Sequence, residues 1–217
     1  MKQILILCEG QTEETFINEI LNPHLEVHQR WAVPTLVVTK RMPTGQTHRG
    51  GITSYAKIRR DVEKLLGNSH ASCVTTMIDY YGLPADFPGK DRLQGATPQE
   101  RVAFLEQAFA ADIGDRRFRP FLMLHEFEAL LFSAPDILLG QLGLAPARHP
   151  LGAIGVFATP EEINDGADTH PAARIARSKP DYRKPLDGLR IAKAIGLDTM
   201  RKRCPHFNQW VRHLETC

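Results

Sequence analysis

Apolar and polar positions divide the start of the chain into a strand, a turn and a helix. Ile4 to Cys8 is a continuous apolar run, which is typical of a strand covered on both faces in a parallel sheet. Apolar residues then recur at helical spacing from Phe16 to Leu25. Gly10 permits a sharp turn between the two, and Thr12 is a good N-cap for the helix. Glu9 therefore lies at the carboxyl end of the first predicted strand.

Three further strands are predicted, at Ala32 to Thr39, Ala71 to Ile78 and Phe121 to Leu124. One intervening helix is predicted from Ser54 to Leu66. The next begins at Thr97-Pro98-Gln99-Glu100, a capping box with proline at the first helical position. Strands that alternate with helices indicate βαβ units, so we predict an α/β fold with a mainly parallel sheet of about four strands flanked by helices.

The pattern after Leu124 is helical. A helix is predicted from His125 to Phe132, directly at the end of the fourth strand, and Thr159-Pro160-Glu161-Glu162 repeats the capping-box pattern. Further helices are predicted near residues 135–144, 171–178, 185–195 and 207–215. We therefore predict an α/β domain over residues 1–133 and a helical C-terminal extension over residues 134–217 that packs on the same core.

Composition and charge narrow the class of protein. The 217 residues are 42% hydrophobic and 24% charged, as in ordinary soluble proteins, and the net charge of +2 favours neither a DNA-coating protein nor an acidic tail. No apolar run approaches the roughly 18 residues of a membrane span, and the first run is too short for a signal peptide. Four cysteines lie far apart without a C-x-x-C pair, which predicts a reducing, cytoplasmic setting without disulfides.

Carboxylates follow three of the predicted strands, and these are the first candidates for chemistry. They are Glu9, Asp79, Glu126 and Glu128. Each alone could cap a helix or form a salt bridge, but in a parallel sheet all would share the edge at which ligands bind. Mg²⁺ prefers oxygen ligands and is held by a few carboxylates beside a phosphate substrate. The pattern therefore favours metal-assisted phosphodiester chemistry.

Basic residues are the second group of candidates, and each has two interpretations. Arg49 lies in a basic loop, and Lys57 and Arg60 lie on one face of the helix that follows; these residues either form a solvated surface or contact phosphate groups. His125 either caps the edge of the sheet or binds phosphate and transfers protons. Lys184 either belongs to a solvated loop or neutralises charge on a phosphate.

Several segments together resemble the Toprim superfamily of topoisomerases, primases and nucleases. The opening Glu9-Gly10-Gln11-Thr12-Glu13 is similar to its first motif, and Asp79 matches the first aspartate of its second motif. The whole chain resembles an uncharacterised bacterial Toprim-like family, a domain of unknown function related to overcoming-lysogenization-defect type nucleases. The other segments that carry this resemblance are Arg49-Gly50-Gly51, residues 76–84, residues 125–132 and Cys204-Pro205-His206-Phe207.

The resemblance implies a Rossmann-like Toprim fold, a Mg²⁺ (or Mn²⁺) site and action on nucleic acid, with DNA as the expected substrate. In that pattern Glu9 would be the general acid or base and Asp79 a metal ligand. We predict that Glu9, Asp79 and Glu128 together hold the metal. The second aspartate of the usual D-x-D is absent, because position 81 is Tyr81. Either Glu126 or Glu128 supplies the missing carboxylate, or metal binding is weak and catalysis has been lost.

Two functional hypotheses follow. The first is a Mg²⁺-dependent nuclease or phosphodiester-transfer enzyme, acting in defence against phage with a separate ATPase of the ABC, structural-maintenance-of-chromosomes or AAA type, as the resemblance implies. The second is a non-catalytic regulatory or assembly subunit of such an ATPase. The sequence contains no G-x-x-x-x-G-K-[S/T] and no G-x-G-x-x-G, so the chain itself is not expected to hydrolyse ATP or bind a dinucleotide.

Overall fold

The computed structural model describes residues 1–37, 54–145, 151, 157–163 and 168–217. Its centre is a parallel sheet with the order β2-β1-β3-β4, and β5 pairs with the carboxyl end of β3. The predicted parallel α/β sheet is therefore confirmed. The strands are β1 (Lys2–Cys8), β2 (Arg30–Leu36), β3 (Ala71–Asp79), β4 (Phe118–Arg119) and β5 (Leu122–Met123).

The fourth predicted strand, Phe121 to Leu124, corresponds to β5, and the short strand β4 before it was not predicted. β4 and β5 are separate strands because Pro120 lies between them and has no N–H to donate. β4 pairs with β3 at Val74, and β5 pairs with it at Ile78. The Thr76 side chain bridges the break. Its hydroxyl donates to the carbonyl of Phe121 at 2.8 Å and accepts from the Phe121 N–H at 2.9 Å. One threonine thus replaces both ladder bonds at the interruption.

The substitution Thr76→Val is expected to lower the free energy of unfolding by about 1–3 kcal/mol, because it keeps the side-chain shape but leaves the buried polar groups of Phe121 without a partner. Urea denaturation measures the change. A suitable control is Thr15→Val, which removes the bond from an exposed hydroxyl to the Gln11 carbonyl and should change the free energy by less than about 0.5 kcal/mol. Equal effects of the two substitutions would contradict the bridging role of Thr76.

Side chains of β1 alternate between two hydrophobic clusters, one on each face of the sheet. Leu5 and Leu7 pack with α3 (Tyr55–Leu66) and α4 (Pro98–Ile113). Ile4, Ile6 and Cys8 pack in the second cluster with α1 and helices from the C-terminal part of the chain. This double coverage explains the continuous apolar run at the start of the sequence.

The first helix begins earlier than the sequence pattern suggested. α1 (Gln11–Phe16) has Gly10 as its N-cap, so the prediction that Thr12 caps it is wrong. α1 continues through a π turn (Ile17–Leu21) into α2 (Asn22–Val27). Because the helix starts directly after the turn, Glu13 is in its first turn and is buried. In α4 the predicted capping box is confirmed, since Thr97 and Glu100 exchange side-chain to backbone hydrogen bonds.

The C-terminal part is helical, as predicted. It contains α5 (Glu128–Leu131), α6 (Pro135–Leu142), α7 (Pro171–Ser178), a π turn (Lys184–Gly188), α8 (Leu189–Ile195), α9 (Leu197–Arg203) and α10 (Pro205–Thr216). Its apolar residues share one cluster with β1 and α1; the boundary at residue 133 stays a prediction. None of the helices described is both long and apolar enough to cross a membrane.

Two local predictions in this part are wrong. The helix expected from His125 starts only at Glu128, and His125 has a positive φ of 65°, which a helix does not contain. The segment Pro160–Glu162 is a single 3₁₀ turn in which Thr159 makes no capping bond. Glu161 instead accepts hydrogen bonds from the backbone N–H groups of His206 and Phe207, both at 2.9 Å, so it caps the start of α10.

Candidate functional site

The candidate site lies where the order of the strands reverses. From β1 the chain crosses to β2 on one side and then to β3 on the other, and ligands of open α/β sheets bind outside the carboxyl ends of strands at such a point. Glu9 follows β1 directly, and Asp79 is the last residue of β3. The backbone N–H of Asp79 donates to Oε2 of Glu9 at 3.3 Å. The strand ends therefore hold these two carboxylates side by side.

The ammonium group of Lys184 lies among the carboxylates. Its Nζ is 3.3 Å from Oδ2 of Asp79, 3.3 Å from Oε2 of Glu128 and 3.5 Å from Oε1 of Glu13. Lys184 comes from the first residue of a π turn, Glu128 from the first residue of α5 and Glu13 from the first turn of α1. Three separate parts of the chain thus converge on a cation that a fourth part supplies.

The carboxylates of this site are largely removed from water. The side chain of Glu128 is 1% exposed, that of Glu13 is 4% exposed and that of Asp79 is 14% exposed. Burial raises the pKa of Glu128 and of Glu9, and raises the pKa of Asp79 well above its usual value, although Lys184 opposes each shift. Burial alone would lower the pKa of Lys184, but Asp79, Glu128 and Glu13 outweigh it and hold that pKa well above the usual value.

The donor set fits a divalent cation. Glu9, Glu13, Asp79 and Glu128 would carry four negative charges if ionised, and the ammonium of Lys184 supplies one positive charge to them. Within the described part of the chain, Oδ1 of Asp79 is buried and has no hydrogen-bond partner. An excess of buried carboxylate oxygen is costly without a cation or added protons, and oxygen ligands of this type are those that Mg²⁺ and Mn²⁺ prefer.

Glu126 makes its hydrogen bonds to the start of α7. Its Oε1 accepts from the backbone N–H of Ala172 at 2.7 Å and lies 2.7 Å from Nδ1 of His170, at the start of α7. The ring of His170 stacks on the half-exposed ring of Tyr81, with centroids 5.2 Å apart. Glu126 therefore holds the start of α7 beside the site. Tyr81, stacked on His170, is half-exposed to solvent. The catalytic role predicted for Glu126 stays a prediction.

The candidates for nucleic-acid contact are spread more widely. His125 is fully buried with its Nε2 3.1 Å from the Glu161 carbonyl, so its ring has no exposed surface with which to contact a phosphate in this structure. Lys57 and Arg60 lie on α3, which follows β2 in the chain; Lys57 is partly buried, and Arg60 is exposed. Arg49 and the rest of the predicted basic loop lie outside the described residues.

Two contributors to the site were not predicted. Glu13 was identified from the sequence only as the last residue of the Glu9-Gly10-Gln11-Thr12-Glu13 motif, without a role in the site. Tyr182 donates its hydroxyl to Oε1 of Glu128 at 3.4 Å, and burial raises its pKa. Its position two residues before Lys184 was the available signal.

Comparisons with known proteins add the family. The family model for the domain of unknown function DUF4276 matches residues 8–215, which include every member of the candidate site. No curated protein and no solved structure matches the chain. Since the match covers nearly the whole chain, the protein belongs to the DUF4276 family.

Proposed function

We propose that this protein is a Mg²⁺-dependent nuclease, or a related phosphodiester-transfer enzyme, of the Toprim type. The observation that carries the proposal is the convergence of Glu9, Asp79 and Glu128 at the switch point of the sheet. The positions of Glu9 after the first strand and Asp79 at the end of the third support the Toprim resemblance. Carboxylates grouped at a ligand-binding edge favour metal-assisted chemistry on a phosphate ester.

Asp79 and Glu128, with Glu9 beside them, would hold Mg²⁺ or Mn²⁺. Such an ion supplies an activated water and neutralises charge on the phosphate. Of the chain's own groups, Glu9 is suited to exchange a proton with the reacting oxygen, because burial raises its pKa toward the working pH. The ammonium of Lys184 stays charged and can neutralise a second oxygen of the phosphate.

Glu128 is our candidate for the carboxylate that the D-x-D motif lacks here. Tyr81 is half-exposed and stacks on His170, so it takes no part in the carboxylate group. Glu128 approaches the same ammonium as Asp79, at the same 3.3 Å, from a different element. We infer that Glu128 does the work of the second aspartate, which supports catalysis.

The alternative is a non-catalytic regulatory or assembly subunit of a separate ATPase of the ABC or structural-maintenance-of-chromosomes type. The position of Lys184 favours it, because an ammonium that already pairs with Asp79 and Glu128 can replace a metal ion permanently. For the nuclease and for the regulatory subunit alike, only the Toprim resemblance suggests an ATPase partner on another chain. The same holds for a role in defence against phage.

The deciding experiment is a metal-dependence assay with Glu9→Gln. Labelled single- and double-stranded DNA and RNA are incubated with Mg²⁺, Mn²⁺ or EDTA. We expect wild-type cleavage that requires metal and falls at least about 100-fold in the variant, since a positioned acid or base contributes about 10²–10⁴-fold. Glu26→Gln, on an exposed residue of α2, is the matched control and should cleave like wild type.

Two other outcomes are informative. Absence of cleavage together with no Mn²⁺ binding by calorimetry would overturn the nuclease proposal and favour the regulatory subunit. Absence of cleavage despite Mn²⁺ binding that Asp79→Asn removes would indicate an intact site that requires its ATPase partner.

A further inference from the structure

A second group of metal-ligating side chains lies at the other end of β3. Sγ of Cys73, Nε2 of His213 and Sγ of Cys217 all lie within 4.8 Å of one another, and the first two atoms are 3.5 Å apart. In a tetrahedral zinc site with bonds of about 2.3 Å to sulfur and 2.0–2.1 Å to nitrogen, ligand atoms are separated by about 3.5–3.8 Å. The group is therefore already close to the spacing that a bound ion would require.

The elements that carry these three residues hold them in place. Cys73 is buried in β3, between two neighbouring strands of the sheet. His213 and Cys217 are four positions apart at the end of α10, so they lie on the same side of the helix. The guanidinium of Arg30 in β2 donates to the carbonyls of Cys217 at 2.7 Å and Thr216 at 3.2 Å. These bonds fix a last turn that would otherwise fray.

We propose that Cys73, His213 and Cys217 bind one thiophilic divalent cation, for which Zn²⁺ is the best fit. Two thiolates and one imidazole are a common set of zinc ligands, and they select against Mg²⁺ and Ca²⁺. These residues line a groove of about 590 Å³, which also contacts His206 and Arg119. The fourth coordination position opens to this groove, where water or a small donor from solution completes the tetrahedron.

A neighbouring group shows what a non-metal arrangement of similar residues looks like. His24, His28 and Glu215 are also close together. There the guanidinium of Arg201 lies 2.6 Å from Oε1 of Glu215 and 2.9 Å from Nε2 of His24, so an arginine already provides the positive charge. That group is an ion-pair network in which the Arg201 guanidinium takes the place that a metal ion would need.

The zinc site is independent of the carboxylate site. Cys73 and Asp79 are six residues apart on one strand, which corresponds to about 20 Å at roughly 3.3 Å per residue. A metal bound by Cys73 and α10 would join the sheet to the last helix and stabilise the helical part of the protein. Its presence or absence does not decide whether the chain is a nuclease.

The test is metal analysis of the full chain, purified under reducing conditions without chelator. We expect about one zinc ion per chain by mass spectrometry of the metal. Co²⁺ should replace it and give thiolate-to-metal charge-transfer bands. Cys73→Ser and His213→Gln should weaken Co²⁺ binding by more than the roughly 10–100-fold that loss of an outer-shell partner costs. Cys204→Ser is the matched control, a buried thiol outside the group, and should bind like wild type.

Three results would overturn the proposal. The first is Co²⁺ binding that does not change in Cys73→Ser. The second is a wild type that binds neither Zn²⁺ nor Co²⁺ although its thiols titrate as free. The third is a Cys73–Cys217 disulfide in the protein as isolated. His213 is only partly buried. His213→Gln therefore keeps the test decisive if Cys73→Ser does not fold, and circular dichroism checks the fold of each variant.

Discussion

The substitution Lys184→Met is expected to lower the free energy of unfolding by about 2–3 kcal/mol near pH 7 in metal-free buffer. Removing one partner of a buried ion pair costs roughly 3–5 kcal/mol, because the remaining charge has no compensation. The side chain of Lys184 is 33% exposed, which reduces the cost through screening by water. Methionine keeps most of the side-chain volume beside Phe127, so the loss measures mainly charge.

The pH dependence follows from the raised pKa values of the carboxylates. A carboxyl group whose pKa is higher in the folded state than in the unfolded state favours folding in its protonated form, and that contribution is lost as the pH rises through the folded-state pKa. Burial raises the pKa of Asp79 and of Glu128, and Lys184 opposes both shifts. Without Lys184 both pKa values rise further. The defect of Lys184→Met should therefore shrink as the pH falls from about 7 to about 5.

Chemical denaturation of wild type and Lys184→Met at both pH values provides the measurement. Lys179→Met is the control, since Lys179 pairs with the exposed Asp181 and its loss should change the free energy by less than about 0.5 kcal/mol. Added Mn²⁺ should restore part of the stability of Lys184→Met, because a ligand that binds only the folded state stabilises it. A loss of stability that is the same at both pH values and insensitive to Mn²⁺ would show that Lys184 contributes packing only.

The parts of the fold that were predicted correctly are those that local patterns determine. The buried strand β1 and the capping box of α4 depend on neighbouring residues, and the structure confirms both. One prediction that failed depends on packing at a distance. Thr159-Pro160-Glu161-Glu162 has the pattern of a capping box, but Glu161 instead caps α10, which is more than 40 positions away in the sequence. A sequence pattern contains no information about that partner.

The candidate site shows the same division. Glu9 and Asp79 could be placed at one edge, because parallel strands determine where their ends meet. Lys184 is 105 positions from Asp79, and only the packing of the C-terminal helices brings their side chains together. The sequence named Lys184 but could not assign its partners, and it left open whether Glu126 or Glu128 supplies the missing carboxylate. Glu126 and Glu128 are only two residues apart after an irregular turn, yet Glu128 pairs with the Lys184 ammonium while Glu126 bonds the start of α7.

That difference gives the last prediction, a comparison of Glu128→Gln with Glu126→Gln. Glu128→Gln should reduce metal-dependent cleavage at least about 100-fold and weaken Mn²⁺ binding, because it removes one negative ligand from the group around Lys184. It should not unfold the protein. Burial already opposes the charged form of Glu128, and an amide oxygen can still accept from the Tyr182 hydroxyl.

Glu126→Gln is the matched control, with the same chemistry two residues away. Its amide oxygen can still accept from the Ala172 N–H and stay beside His170, so α7 keeps its position. We expect cleavage and Mn²⁺ affinity within a few-fold of wild type, as measured by the nuclease assay and calorimetry. The reverse pattern, with loss in Glu126→Gln and none in Glu128→Gln, would assign the missing carboxylate to Glu126. The Glu126 carboxylate would then have to break its bonds to His170 and to the Ala172 N–H before it could act in catalysis.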